Sequence, residues 1–413
     1  MKAIIVGGGA SGMFCAIRAA ERGVKVTLLE QNDKLGRKLY ITGKGRCNFT
    51  NACPPEEFRA HVVSNPRFLY SASEALTPDD VIRLFDEWGL TSKVERGRRV
   101  FPASDRAADV IDTLVSQLKR RNVRVITGAK VTGLLTDADG NVTGVHARVK
   151  DENVTMEAEA VVLATGGMSY PSTGSGGDGY RFAAKAGLKV TTLSPSLVPF
   201  NCAEEYVRDL QGLSLKNVEL IITDGKKERF REFGELLFTH FGISGPLVLS
   251  ASAVLGPVAG GKTLSGVIDL KPAVSAEQLD ARFRREFDQH AKKALRNILH
   301  EFYPAKLTAV IPRVADVDED KRCADVTKEE RLRLVRMTKA FPLTITSLRG
   351  WNEAVVTKGG VDVREIDPRT MAAKKRKGLY CIGELLDLDA FTGGYNLQIA
   401  WCTAAMCADA LGT

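Results

Sequence analysis

The sequence predicts an α/β fold built around a parallel sheet, and the N-terminal end of the chain carries most of that prediction. An apolar run at 3–6 leads into the glycine turn 7–12, which a helical stretch follows. A second apolar run at 24–29 then ends at Glu30. Strand, glycine turn, helix, strand and acid follow one another in this order in a Rossmann-like dinucleotide-binding unit.

The glycines of the turn have separate tasks in such a unit. Gly7 allows a tight turn, Gly9 lets the backbone approach a pyrophosphate, and Gly12 lets the helix pack closely on the strand. The amides at the start of the helix then face the phosphates. Glu30 ends the second strand, where a carboxylate holds the ribose hydroxyls. A structural glycine turn without a ligand is the alternative interpretation.

The composition indicates a chain of two or more domains, with 413 residues of which 44% are hydrophobic. No stretch approaches the roughly 18 uninterrupted apolar residues of a membrane span. The glycine turn also interrupts the segment where a signal peptide would need its apolar core. Eight cysteines occur without a CxxC pair, so the sequence indicates neither a zinc ribbon nor a disulfide centre. We therefore expect a cytoplasmic protein without a membrane segment or a metal site.

The chain is basic, with a formal charge of +8 and a pI near 9.0. Basic clusters lie at 119–121, 282–285, 292–293 and 374–377, but acidic residues interleave most of them. They also lack the interleaved aromatic residues that single-stranded nucleic acid favours. We therefore expect a small organic partner rather than a nucleic acid.

Segments with the pattern of buried strands lie on both sides of a middle segment, in which the predicted strands are shorter. Continuous apolar residues at 160–163 and 378–382 predict strands covered on both faces, each followed by glycine. Three glycine-marked strand ends indicate one nucleotide along the carboxyl edge of the sheet. Further predicted elements are helices at 79–91, 105–122, 180–187 and 397–411, and strands at 123–126, 131–135 and 142–145.

The sequence predicts a single insert in the middle of the chain, over 193–356. It contains shorter strands, such as 219–223, and two charged stretches that read as helices, 276–303 and 327–340. The nucleotide-binding domain is then expected in two parts, 1–192 and 357–413.

Four motifs resemble one family of bacterial flavoproteins. They cover 36–51, with Arg46-Cys47-Asn48 near its end, and then 166–171, 239–246 and 383–398. On these motifs the chain is identified as a member of the BaiN/RdsA family of NAD(P)/FAD-dependent oxidoreductases, some of which are aminoacetone oxidase-like. The resemblance implies FAD and a two-part flavin domain distantly like those of glutathione reductase and fumarate reductase. It also implies an inserted β-barrel, at about 193–272 and 341–356, with a small helical bundle at about 273–340.

Spacing and resemblance together predict the FAD-binding residues. The resemblance implies that the Val131 backbone contacts adenine, that Glu384 accepts hydrogen bonds from ribityl hydroxyls, and that the last helix directs its positive end at the flavin. Spacing alone assigns Gly7, Gly9, Ala10, Ser11, Gly12 and Glu30 to the adenosine end. The resemblance adds Gln31, Lys38, Lys44, Gly45, Arg46, Cys47, Asn48, Val131, Ala164, Thr165, Gly166, Gly383, Glu384, Asn396, Leu397 and Gln398.

The loop 44–48 is the first candidate for catalysis. By analogy with related flavoproteins it lies beside the isoalloxazine, where Cys47 is a candidate acid–base group with a pKa lowered by Lys44 or Arg46. The alternative is that Cys47 only packs and that Arg46 binds a phosphate or a carboxylate of the protein itself.

Three further residues are candidate proton donors. His240 precedes Ser244, which resembles an N-cap, and Pro246, which suits a first helical turn. A histidine there donates a proton at neutral pH, or else satisfies backbone groups at a domain seam. Tyr170 and Tyr395 are the other two candidates.

The reading that we prefer is an FAD enzyme that moves hydride through flavin N5. The resemblance suggests NAD(P)H-driven reduction of an activated carbon–carbon double bond in an enone-like substrate. No second glycine fingerprint follows a strand, so NAD(P)H would visit the substrate's cleft in a ping-pong scheme. The alternatives are an oxygen-using oxidase of a small amine or ketone, a flavin-containing RNA-modifying or RNA-binding protein, and a flavin sensor without turnover. The substrate and the oligomeric state stay open.

Overall fold

The computed structural model describes residues 1–259 and 261–412, which form two compact units. The first unit comprises residues 1–196 and the segment from 351 onward, and the second comprises 197–350. The second unit occupies the place of the expected insert, 193–356, and its bounds lie inside those expected. Within the described residues, no helix combines the length and apolar character needed to cross a lipid bilayer.

The first unit contains the predicted parallel sheet, so the predicted α/β Rossmann-like fold is confirmed. Its five strands lie in the order β19-β10-β1-β2-β6, all parallel. They are β1 (Lys2–Val6), β2 (Lys25–Leu29), β6 (Arg124–Ile126), β10 (Ala160–Leu163) and β19 (Leu379–Cys381). All four residues of β10 are buried, as their apolar character predicts for a strand covered on both faces.

Smaller sheets complete the first unit. One is the antiparallel meander β7 (Ala129–Thr136), β8 (Val142–Val149) and β9 (Glu152–Glu157). The others are β3 (Thr50–Asn51), β5 (Arg99–Pro102) and β4 (Ser92–Glu95), and the pair β11 (Ser194–Ser196) and β18 (Val356–Lys358). The sequence prediction stopped the second meander strand at 145 and missed the third, whose residues are mostly polar and exposed.

Helices cover the parallel sheet. The longest, α13, is buried along most of its length, and Phe14 of α1 packs at 5.4 Å from Trp401 of α13 between ring centroids. The helices of this unit are α1 (Ala10–Glu21), α2 (Arg37–Ile41), α3 (Pro55–Ala60), α4 (Tyr70–Ala75), α5 (Pro78–Glu87), α6 (Ala107–Arg120), α7 (Asp178–Lys185) and α13 (Tyr395–Leu411).

The second unit contains a closed six-stranded barrel, which confirms the barrel that the resemblance implied. Aromatic side chains fill it: Phe200, Phe238 and Phe341 are fully buried. The strands in barrel order are β12 (Phe200–Cys202), β15 (Gly242–Ser244), β14 (Lys227–Phe238), β13 (Ser214–Asp224), β16 (Leu264–Asp269) and β17 (Phe341–Leu348).

The helices of the second unit differ from the prediction. The stretch predicted as one helix over 276–303 is helical only to Gln289, because the chain then turns and the Leu295 N–H donates to the Lys321 carbonyl at 2.8 Å. A helix over 305–315 was not predicted; it contains Pro312, a residue that argues against a helix interior. The helices are α8 (Tyr206–Asp209), α9 (Pro246–Ala259), α10 (Ala276–Gln289), α11 (Ala305–Ala315) and α12 (Lys328–Lys339).

Candidate active site

The glycine turn between β1 and α1 has the geometry that its sequence predicts. Gly7 has φ +111° and lies against the Ala164 carbonyl, which a β-carbon on Gly7 would overlap. A β-carbon on Gly12 would overlap the carbonyl oxygen of Gly7. Gly9 differs, because no atom lies within 4 Å of where its β-carbon would be. The chain is therefore closely packed at Gly7 and Gly12 and open at Gly9.

The N-terminus of α1 is open to an anionic ligand. Gly9 is the N-cap residue, its first turn carries no acidic residue, and the described chain supplies no side-chain hydrogen bond to this helix end. The amides of Ala10 and Ser11 lie in this first turn, where unpaired N–H groups and the helix dipole attract phosphate. Gly383 lies against the same end of α1, since a β-carbon added to it would be 2.5 Å from Ser11 Oγ.

Glu30 lies at the carboxyl end of β2 and is 8% exposed. Its Oε2 accepts the Gly8 N–H at 2.7 Å, and its Oε1 accepts the N–H and Nδ2–H of Asn32 at 2.8 and 2.7 Å. A carboxylate offers about four lone-pair positions, so capacity for a ribose hydroxyl remains on Oε2. Asn32, which the sequence analysis missed, fixes this carboxylate from only two residues away.

Other residues predicted for the adenosine end lie around this carboxylate. Gln31 donates from Nε2 to the Gly174 carbonyl at 2.5 Å. Val131 is buried in β7, two residues beyond Ala129, whose N–H donates to the Glu30 carbonyl at 2.9 Å. These contacts place the start of β7 beside Glu30.

Lys38 and Glu384 form a half-buried ion pair across a long sequence separation. Lys38 Nζ lies 2.6 Å from Glu384 Oε2 and donates to Ser169 Oγ at 2.6 Å. Glu384 Oε1 also accepts from Ser169 Oγ at 3.0 Å and from the Thr357 N–H at 2.9 Å. This pairing explains how a carboxylate is tolerated at a strand end that was predicted to lie near phosphates. Ser169 was not predicted as a site residue, because only the fold brings it to Glu384.

The loop 42–47 has an unusual backbone. Gly43, Lys44, Gly45 and Cys47 all have φ between +57° and +83°. For lysine and cysteine this left-handed conformation is uncommon and costs free energy, which is typical of functional loops.

The predicted lowering of the Cys47 pKa is wrong. The side chain is fully buried, and this burial raises its pKa to about 12, although a hydrogen bond with Thr42 opposes the shift. The thiol is therefore neutral at physiological pH and is neither a base nor an activated nucleophile.

Arg46 binds carboxylates of the protein itself, as the alternative interpretation held. Its Nε donates to Asp105 at 2.8 Å, and its Nη2 lies 2.5 Å from Glu95. The guanidinium also lies over the Phe101 ring, 4.2 Å from the centroid. Both carboxylates have lowered pKa values, Glu95 chiefly through its hydrogen bond to Arg46 and Asp105 chiefly through its hydrogen bond to Lys93.

The last helix presents a second N-terminus without a side-chain cap, although the Thr50 carbonyl packs against its N-cap glycine. Gly394 is the N-cap residue of α13, with φ +97°, and its β-carbon would lie 3.0 Å from Asn48 Oδ1. The buried Asn48 Oδ1 has no hydrogen-bond partner among the described residues. The same holds for Oδ1 of Asn51, a buried side chain that the sequence analysis did not single out, and for Oγ1 of Thr165.

Three residues at the start of α13 were predicted to contact the flavin. The Asn396 side chain instead exchanges hydrogen bonds with the Ala390 backbone, at 3.0 and 2.8 Å. Gln398 is fully buried and bonds Thr50 Oγ1 at 2.7 Å. Leu397 is half-buried against the core. The helix N–H groups, rather than these side chains, are the groups that α13 offers to a ligand.

The two other catalytic candidates lie in different units. Tyr170 has φ +51° in the first unit, and burial raises its pKa. His240 is exposed in the second unit, in the turn between β14 and β15. Ser244 is not an N-cap residue, because it ends β15 and α9 begins two residues later at Pro246.

The residues present fit a dinucleotide such as FAD. The open Gly9, the uncapped ends of α1 and α13 and the buried Glu30 match the pyrophosphate and ribose of such a ligand. The orphaned oxygens of Asn48 and Thr165 are polar groups of the kind that a bound ligand satisfies.

Comparison with known proteins points the same way. The HI0933-like protein Rossmann domain matches residues 1–410. The chain is 34% identical to the ribosomal RNA dihydrouridine synthase of Escherichia coli K12, over 99% of this chain and 97% of that protein. It is 30% identical to the 3-dehydro-bile acid delta(4,6)-reductase of Clostridium scindens, over 97% and 96% of the two chains.

Solved structures share the fold. A flavocytochrome c3 fumarate reductase matches with a TM-score of 0.53 and 16% identity, over 100% of this chain and 78% of that one. The 3-ketosteroid-delta4-(5alpha)-dehydrogenase of Rhodococcus jostii RHA1 matches with a TM-score of 0.56 and 14% identity, over 100% and 96%. The chain therefore belongs to the HI0933-like Rossmann family, the BaiN/RdsA group of FAD-dependent oxidoreductases.

Proposed function

We propose that this chain is an FAD-dependent reductase of carbon–carbon double bonds conjugated to a carbonyl. The observation that carries the proposal is the chemistry shared by two full-length relatives with different substrates. Making dihydrouridine adds two hydrogens across the C5–C6 double bond of uracil, which is conjugated to the C4 carbonyl. Reducing the delta(4,6) bonds of a 3-dehydro-bile acid is the same kind of reaction on a steroid.

The chain's own residues would hold the cofactor at the two open helix ends. The turn at Gly9 and the N-terminus of α1 bind the pyrophosphate, Glu30 binds the ribose, and the N-terminus of α13 supports negative charge on the ring system. Bound FAD supplies the hydride chemistry. The neutral Cys47 thiol is an inefficient proton donor near neutral pH. Tyr170 remains our candidate for that role, and NAD(P)H remains our candidate electron donor.

For the substrate, we propose uridine in RNA. Two relatives named ribosomal RNA dihydrouridine synthase, from E. coli and Haemophilus influenzae, have 34% and 33% identity over nearly the whole chain. The charge of +8 suits a polyanionic partner. This proposal replaces the expectation that nucleic acid is not a partner, and it fits the cytoplasmic location that we continue to propose. A small enone remains the second candidate, because the bile acid reductase is also a full-length relative.

The test is anaerobic turnover of the FAD-loaded protein with a chemical reductant, which leaves the natural electron donor open. An unmodified ribosomal RNA transcript and a 3-oxo-4-ene steroid are supplied in parallel, and nucleosides and steroid are analysed by mass spectrometry. We expect uridine to gain two hydrogen atoms. Reduction of the steroid alone would mean that the substrate is a small enone and not uridine in RNA. Reduction of neither, with hydrogen peroxide formed from an amine in air, would contradict the reductase and favour the oxidase.

A further inference from the structure

The barrel unit contains a cavity of its own. Its volume is about 540 Å³, within the range of ligand pockets, roughly 300–1,000 Å³. Residues 201–204, 207–208, 240–241 and Arg349 line it, so it lies wholly within the second unit. The side chains that matter below are Glu204, Arg208, His240, Phe241 and Arg349.

One wall of the cavity is flat and aromatic. His240 and Phe241 form the tip of the turn between β14 and β15, which the Thr239 N–H closes by donating to the Gly242 carbonyl at 2.8 Å. The Arg349 guanidinium lies over the Phe241 ring, 4.3 Å from its centroid. The His240 ring meets Phe241 edge-on at 4.9 Å between centroids. Aromatic rings and guanidinium planes are surfaces on which unpaired bases stack.

Glu204 brings an unsatisfied acceptor to the same cavity. Its Oε2 is buried and has no hydrogen-bond partner in the part of the chain that the structure describes. An ionised carboxylate only accepts hydrogen bonds, and a buried oxygen without a donor costs free energy. A ligand that brings an N–H group into the cavity recovers that cost.

Arg208 supplies positive charge at the same place. It lies in α8, four residues after Glu204, and its side chain is exposed at the cavity. The cavity therefore combines a cation, an unsatisfied carboxylate oxygen and an aromatic wall. A nucleotide offers a group to each: a phosphate, an N–H on the base edge, and the flat face of the base.

We propose that this cavity binds an unpaired nucleotide of the RNA substrate, separate from the nucleotide that is reduced. The base packs against Phe241 and the Arg349 guanidinium that covers its ring, and it donates an N–H to Glu204, as the N4 amino group of cytosine does to carboxylates. Its phosphate pairs with Arg208. The inference rests on the proposed action on RNA and adds a recognition site to it, in the barrel unit.

The test measures the binding of a fluorescein-labelled, cytidine-containing single-stranded RNA to the FAD-loaded protein by anisotropy. Glu204→Met keeps the side-chain length but removes the acceptor, and Glu205→Met is its matched control one residue away. Removing a negative charge by itself tightens RNA binding. We expect the opposite for Glu204→Met, about tenfold weaker binding because a contact to the base is lost, and no weakening for Glu205→Met.

A second pair of variants tests the same site in case Glu204→Met does not fold. Arg208→Ala is compared with Arg120→Ala, which removes an exposed guanidinium from α6 outside the cavity. Weaker binding confined to Arg208→Ala supports the site. Equal effects of both arginine variants, or tighter binding by both glutamate variants, would show non-specific charge attraction and overturn it. Cytidine monophosphate alone, bound as tightly as the RNA, would assign the cavity to free nucleotides instead and also overturn it.

Turnover separates this inference from the proposed function. If the wild-type protein reduces uridine in RNA and all four variants keep its KM, the function stands and the cavity plays no part in recognition. If the wild-type protein reduces only the steroid and does not bind the RNA, the substrate proposal fails and the inference fails with it.

Discussion

At the scale of single residues, the glycine turn separates what folding needs from what a ligand needs. A β-carbon at position 12 would overlap a backbone carbonyl, whereas one at position 9 meets open space. Gly9 also has φ −82°, which alanine adopts without strain. The two positions therefore make a matched pair: the packing of the protein itself requires glycine at position 12 but not at position 9.

We expect Gly12→Ala to destabilise the protein by about 2 kcal/mol, because backbone atoms have to move to relieve the overlap. Gly9→Ala leaves the thermal midpoint of the FAD-free protein unchanged but weakens FAD binding about tenfold, because the methyl group occupies the approach of the pyrophosphate. Thermal melts without FAD and titration of flavin fluorescence measure the two effects. Equal FAD affinity in Gly9→Ala and wild type would mean that the pyrophosphate does not pass Gly9.

Cys47 is buried, and its environment predicts a chemically silent thiol. Its pKa of about 12 keeps it protonated throughout the neutral and mildly alkaline range. We expect Cys47→Ser to retain FAD and to show the same pH profile of kcat/KM as the wild type. A limb of the profile that disappears in the variant would restore Cys47 as an acid–base group. Slow alkylation by iodoacetamide at neutral pH, compared with the unfolded protein, is an independent check.

At the scale of elements, one carboxylate stabilises the short turn at 363–365, which follows β18. Asp362 accepts from Nε of Arg364 at 3.0 Å and from its Nη2 at 2.6 Å, and it caps the turn at 363–365 through the Arg364 N–H. The hydrogen bonds to Arg364 lower its pKa from 3.8 to about 2. Because the folded pKa lies below the unfolded value, the stabilisation is present above about pH 4 and is lost as the pH falls toward 2.

We therefore expect Asp362→Asn to be less stable than the wild type at neutral pH, by about 1 kcal/mol, since the exposed Arg364 is screened by solvent. The difference shrinks as the pH falls through the range between the two pKa values. Urea unfolding of both proteins at several pH values measures it. A difference that does not change with pH would mean that the cap geometry, and not the charge, provides the stability.

Elements with local signals could be predicted from the sequence, and contacts that only the fold creates could not. The turn at Gly7–Gly12 was predicted because its glycines are spaced in the order that a single βαβ unit needs between its first strand and its helix. The ion pair of Lys38 with Glu384 joins parts of the chain 346 residues apart, and nothing local distinguishes it. Arg46 was assigned to catalysis by resemblance, although its carboxylate partners lie 49 and 59 residues away.

At the scale of the whole molecule, the described chain forms one dinucleotide-binding unit, and the barrel unit is inserted between its two parts. The glycine cluster at 174–177 follows a loop rather than a strand. The described residues contain no second unit of this kind, so we expect a nicotinamide donor to use the same site as the substrate. Donor and acceptor should then react in turn rather than together.

This organisation predicts the kinetic order of the reaction. Anaerobic NADPH should bleach the visible flavin band of the FAD-loaded protein without any acceptor present. With NADPH and uridine-containing RNA both varied, double-reciprocal plots should be parallel, as a ping-pong scheme requires. Intersecting lines would mean that donor and substrate are bound at the same time, so that the nicotinamide has a site separate from that of the substrate. Bleaching by dithionite but not by NADPH would identify a different electron donor, because the flavin is then competent and only the nicotinamide fails to reduce it.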